Sequence, residues 1–164
     1  MFPEDIQTLA EAVIATAAAR GLTLATAESC TGGLVAAALT AVPGSSAVLD
    51  RGFVTYSNAA KTRLLGVPAE LIDRNGAVAQ PVAEAMAAGA RDDAGVDLAV
   101  SVTGIAGPGG GSADKPVGLV HFACASKAGV RHAVHRFGDI GREAVRLASV
   151  RVALGLLLDA AEAA

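Results

Sequence analysis

The stretch from Leu22 to Val42 constrains the fold more than any other part of the chain. A short apolar run, Leu22 to Ala25, leads into Thr26-Ala27-Glu28-Ser29-Cys30-Thr31-Gly32-Gly33. A helical apolar pattern, Leu34, Val35, Ala38, Leu39 and Val42, leads out. A buried strand that turns directly into a helix belongs to layered α/β architecture. Such a turn sets Ser29 near the free backbone N–H groups of a helix start. A hydroxyl there can attack a carbonyl while those groups hold the oxyanion. The same geometry can hold a phosphate instead, or Ser29 and Thr31 can simply cap the helix.

The other elements follow from periodicity. Residues 4–20 read as an amphipathic helix with Ile6, Leu9, Ala10, Val13, Ile14 and Ala17 on one face, Pro3 in the first turn and Gly21 as the stop. Leu22 to Ala27 reads as a buried strand and 31–41 as a helix ended by Pro43-Gly44. Ala47 to Tyr56 reads as a strand with an irregularity at Asp50-Arg51-Gly52. Asn58 is placed to cap a helix through Leu65, and a short helix follows at 69–73. Pro81 opens a helix to Asp93, with Val82, Ala85, Met86 and Gly89 on one face. Val96 to Val102 is an apolar run typical of a strand covered on both sides. A glycine-rich loop, Gly104 to Pro116, precedes a hairpin of Val117 to Ala125 and Val130 to Phe137. The last helix, 141–161, is apolar almost all round, so it is either wedged into the molecule or shared with a second subunit. This order implies a three-layer α/β/α sandwich with a mixed, mostly parallel sheet.

Composition narrows the functional classes. Hydrophobic residues make up 52% of 164 but aromatics only 3%, so the core is built from Ala, Val, Leu and Ile. A formal charge of −3 argues against non-specific nucleic-acid binding. No stretch reaches the roughly 18 apolar residues of a membrane span, and the acidic start lacks a secretory signal's basic region. Cys30 and Cys124 have neither metal-ligand spacing nor a disulfide framework. A cytoplasmic, enzyme-sized unit is the expectation.

A serine nucleophile needs a base. His121, His132 and His135 all fall in the hairpin, and the 132/135 spacing turns those two to opposite faces of a strand, against a metal pair. Lys61 is the alternative. A cation near a helix N-terminus is disfavoured, and shielding from water lowers its pKa further. A neutral amine can deprotonate a serine, whereas a solvated surface lysine would do nothing. Tyr56 is a candidate donor to Ser29 or substrate, or a strand-edge packing residue. The loop after Thr103 lies outside the carboxyl end of a strand, where α/β sheets bind ligands. Arg142 and Arg146, one turn apart, either hold an anion or face solvent. Cys30 is an alternative nucleophile to Ser29.

Four segments in this order resemble the CinA C-terminal domain family: AESCTGG (27–33), VPGSSAVLDRGFVTYSNAAKTRLLGV (42–67), VTGIAGPGGGSADKPVG (102–118) and FGD with the arginines of the tail (137–146). The resemblance implies an α/β/α domain over residues 1–164 that often dimerises. It implies nicotinamide-nucleotide amidase activity, converting nicotinamide mononucleotide to nicotinic acid mononucleotide and ammonia with no metal or cofactor. The family's nucleophile falls on Ser29, its lysine base on Lys61 and its tyrosine on Tyr56. Substrate contacts are carried to Glu28, Thr31, Gly32, Gly33, Thr103, Gly104, Gly107, Gly109 and Arg142. Oxyanion donors are expected at the N–H groups of Thr31 to Gly33. Ala79 stands where relatives often carry serine, so a polar role there is absent. Relatives often add an N-terminal domain, and this chain resembles the stand-alone form. The alternative from another class is a nucleotide-binding regulatory module without turnover, holding phosphate on the same N–H groups.

Overall fold

The computed structural model describes residues 1–164. Three parallel neighbours form one side of a five-stranded sheet: β2 (Leu49–Val54), β1 (Leu24–Glu28) and β3 (Leu98–Gly104). The hairpin of β4 (Leu119–Ser126) and β5 (Gly129–Arg136) completes the order β2-β1-β3-β4-β5. Only β4 runs against the others, so the sheet is mixed and mostly parallel, as expected. Ser126 pairs with Gly129, leaving Lys127-Ala128 as the hairpin turn. The irregularity in β2 is a bulge. Leu24 pairs with Leu49 but Ala25 with Arg51, which leaves Asp50 without a partner on β1.

Side-chain alternation on β3 builds the two outer layers. Leu98, Val100 and Val102 join the larger core beneath α1 (Glu4–Ala19), α2 (Leu34–Thr40) and α6 (Arg142–Ala163). The opposite face is lined by small side chains, among them Ala25, Ala27, Ala99, Ala123 and Ala125. That lets α5 (Gln80–Ala94) lie close to the sheet through its own Ala83, Ala87 and Ala90. Ser101 Oγ donates to Ala83 O at 2.6 Å across this contact. Helices α3 (Asn58–Leu65) and α4 (Ala69–Asn75) complete that layer. An Ala-rich, aromatic-poor sequence is therefore packed by close backbone approach. The tightest case is Gly89 of α5, where a Cβ would sit 1.8 Å from Leu65 O at the end of α3.

Helix α6 is wedged against α1, β3 and β4, burying Val145, Val150, Leu154 and Leu157. No helix is long and apolar enough to cross a membrane. Ala79 takes the N-cap position of α5 and supplies no side-chain bond. Because β1, β2 and β3 are parallel, their carboxyl ends meet at one edge, and Ser29 sits there directly after β1.

Candidate active site

The Ser29 turn is pinned from both sides. Ser29 N–H donates to Val102 O and Thr55 N–H donates to Glu28 O, each at 2.9 Å. Gly32 and Gly33 take φ of 59° and 103°. Two left-handed residues cannot join a right-handed helix, so α2 begins at Leu34, where the apolar pattern starts, and not at Thr31, as the reading of 31–41 as a helix had it.

The expectation that the first amides of this helix are free is corrected. Glu28 is fully buried, and its carboxylate accepts from Gly33 N–H (3.1 Å), Val35 N–H (3.0 Å) and Ala36 N–H (2.9 Å). A carboxylate at a helix start is electrostatically favoured. It also leaves no place there for a phosphate or for Gly33 as an oxyanion donor. Glu28 itself is directed into the fold and not toward a substrate. Gly32 N–H is taken by Ser29 O at 3.0 Å. The amides of Cys30 and Thr31 are the two in the turn that make no internal hydrogen bond. The buried Thr31 hydroxyl is likewise unpartnered.

Lys61 comes from α3. The cap of that helix is Ser57, whose hydroxyl accepts from Ala60 N–H at 3.0 Å, and Asn58 is its first helical residue. Lys61 is 1% exposed. Its Nζ lies 3.0 Å from Ser29 Oγ, 2.9 Å from Thr55 O and 3.5 Å from Tyr56 O. No carboxylate pairs with it. Burial pushes its pKa below the ordinary 10.5, with Cys30 opposing. The surface-lysine alternative is thereby excluded.

Other predicted residues are placed differently. Tyr56 is 61% exposed, and its hydroxyl accepts from Arg142 Nη2 (2.8 Å) instead of reaching Ser29. Arg142 also donates to Gly107 O at 2.7 Å, so it bridges the β2–α3 connection and the glycine-rich loop. Thr103 is buried, and its hydroxyl donates to Ala77 O at 2.9 Å, away from the opening. Gly104 closes β3, where a Cβ would strike Val120 at 2.6 Å. Gly107 has φ 81°, and Gly109 is exposed with open space around it. Arg146 is directed at the turn after Ser29. It donates through Nε to Cys30 O and through Nη2 to Thr31 O, both at 3.1 Å.

The histidines take no part. His121 and His132 bond to each other at 2.9 Å, and His135 stacks on Phe137, on the other face from His132. Cys30 is buried, and burial pushes its thiol up to about 11, so little thiolate exists near neutrality. Sequence reasoning missed the helix-capping role of Glu28, the Arg146 clamp and the Thr55 carbonyl. A carboxylate at the end of a strand, four residues before a Gly-Gly pair, was the one local hint.

The model of the CinA C-terminal domain matches residues 6–161. The chain belongs to the CinA family. It is 55% identical over 150 residues to a CinA-like protein of Parasynechococcus marenigrum (strain WH8102), covering 91% of this chain and 36% of that relative. Identity to a CinA-like protein of Anaeromyxobacter sp. (strain K) is 53%, over 96% of this chain and 38% of the relative. The chain thus spans under two-fifths of the length of these CinA proteins. Competence/damage inducible protein CihA from Agrobacterium tumefaciens superimposes with a TM-score of 0.95 at 55% identity, over 97% of each chain. A CinA superfamily protein from Klebsiella pneumoniae gives 0.91 at 37% identity, over 97% of this chain and 99% of that one. The α/β/α fold described above is therefore the CinA fold.

Proposed function

We propose that this chain is a Ser–Lys amidohydrolase acting on nicotinamide mononucleotide, releasing ammonia and nicotinic acid mononucleotide. The observation that carries the reading is the 3.0 Å approach of a buried, uncompensated Lys61 amine to Ser29 Oγ. Two of the amine's three polar neighbours are carbonyls, which only accept. A neutral amine has two N–H groups and one lone pair. With its N–H groups on Thr55 O and Tyr56 O, the lone pair is left for the Ser29 proton.

Lys61 takes that proton and Ser29 Oγ attacks the carboxamide carbon. The free amides of Cys30 and Thr31 receive the oxyanion, a task worth several kcal/mol in such sites. Lys61 returns the proton to the leaving nitrogen, and water hydrolyses the acyl-enzyme by the same path. Arg142 and the unpartnered amides of the loop after Thr103 supply positive potential for ribose and phosphate. Tyr56 holds Arg142 in place. Residues 1–164 are read as one catalytic domain, working as a homodimer in the cytoplasm.

The regulatory-module alternative keeps one of its three amides, that of Thr31, because Gly32 N–H goes to Ser29 O and Gly33 N–H to Glu28. Ammonia release from nicotinamide mononucleotide by wild type, Ser29→Ala and Lys61→Ala tests the reading. Loss of at least about 10³-fold in both variants is expected. Full activity in either removes that residue from the mechanism.

A further inference from the structure

Arg146 carries no ion pair, although it is a partly buried cation. Two of its five donors go to consecutive main-chain carbonyls immediately after Ser29. The Cys30–Thr31 peptide gives its oxygen to Arg146 Nε and leaves its N–H, that of Thr31, without an internal partner. The Thr31–Gly32 peptide shares its oxygen between Arg146 Nη2 and Leu34 N–H and gives its N–H to Ser29 O. The next N–H, that of Gly33, goes to Glu28. A guanidinium on α6 thus fixes the carbonyl side of the turn, and a carboxylate on β1 fixes the amide side.

We propose that Arg146 is a positioning residue that aligns the Cys30–Thr31 peptide as an oxyanion donor. The inference rests on Ser29 being the nucleophile but not on which amide is hydrolysed. A planar fork suits two adjacent carbonyls in a way a single ammonium does not. A charged donor on the carbonyl also polarises the peptide and strengthens its N–H as a donor. The group then acts on the transition state and not on ground-state substrate binding.

The experiment measures the rate of Ser29 phosphonylation by a fluorophosphonate, followed by mass spectrometry, in wild type, Arg146→Lys and Arg146→Gln. Ammonia release from nicotinamide mononucleotide and melting temperature are recorded on the same samples. Expected is a fall in labelling rate and in kcat on the order of 10–100-fold for Arg146→Gln. KM stays within about threefold, the pH profile keeps its midpoint, and Arg146→Lys recovers part of the loss. A purely structural role would instead lower the melting temperature and move no parameter in an Arg146→Lys protein that stays folded at the assay temperature. Unchanged labelling and kcat in both variants would overturn the inference, as would a rise in KM at constant kcat. Wild-type labelling without ammonia release would remove the proposed substrate while the Arg146 comparison still stands or falls on the labelling rates. No labelling of wild-type Ser29 would overturn both.

Discussion

Lys61 Nζ and Ser29 Oγ, 32 positions apart in the chain, lie 3.0 Å from each other at the carboxyl edge of the sheet, with the lysine 1% exposed. The short distance follows from topology. Ser29 directly follows β1, and Lys61 lies one turn into α3, the helix that follows its parallel neighbour β2. Both are held by main-chain bonds before the side chains meet.

A buried amine without a counter-ion costs the fold stability. Between its lowered pKa and 10.5 the folded state holds fewer protons than the unfolded chain, so stability rises with pH across that window. Lys61→Met is expected to abolish ammonia release and to raise the melting temperature at neutral pH by roughly 2–4 °C. The gain should shrink as pH approaches 10.5. Calorimetry at several pH values checks this, and a less stable variant would contradict it.

Gly89→Ala tests the packing that positions Lys61. The added Cβ would meet Leu65 O at 1.8 Å, at the end of the helix that carries the lysine. Overpacking costs roughly 1–3 kcal/mol and exceeds the gain of at most about 1 kcal/mol in helix propensity. Denaturant unfolding should show a net loss, with a lower kcat because α3 must shift. An unchanged midpoint would mean that the two helices separate at no cost.

His121 gives a pH signature away from the site. Burial first, then His132, Lys115 and Arg136, hold its pKa down to about 4 from 6.5. The folded state binds fewer protons than the unfolded chain in that interval, so stability is complete above 6.5 and declines as pH falls toward 4. His121→Gln is expected to lose less melting temperature between pH 6.5 and 4 than wild type. Parallel curves for the two proteins would contradict this.

Much of the architecture was legible in periodicity. The apolar run around Val100 became a strand buried on both faces, and the Gly-Gly pair marked a helix start. What was not legible depended on backbone groups meeting across the chain. Glu28 caps amides five to eight residues ahead, a bond set by the two left-handed glycines and not by any spacing rule. Helical spacing put Arg142 and Arg146 on one face but did not tell them apart. Only the fold sends one to Tyr56 and Gly107 and the other to the turn after Ser29. Asn58 looked like the cap of α3 because Asn and Ser serve equally well there, and the chain used Ser57.

The Ser29–Lys61 dyad is tested most directly by titrating Lys61 itself, following its side-chain Nζ and Cε shifts in isotope-labelled protein. The expected midpoint lies below 10.5, matches the rising limb of ammonia release with pH, and moves when Ser29 is replaced by alanine. A midpoint at or above 10.5, insensitive to Ser29→Ala, would contradict a neutral amine acting as the base.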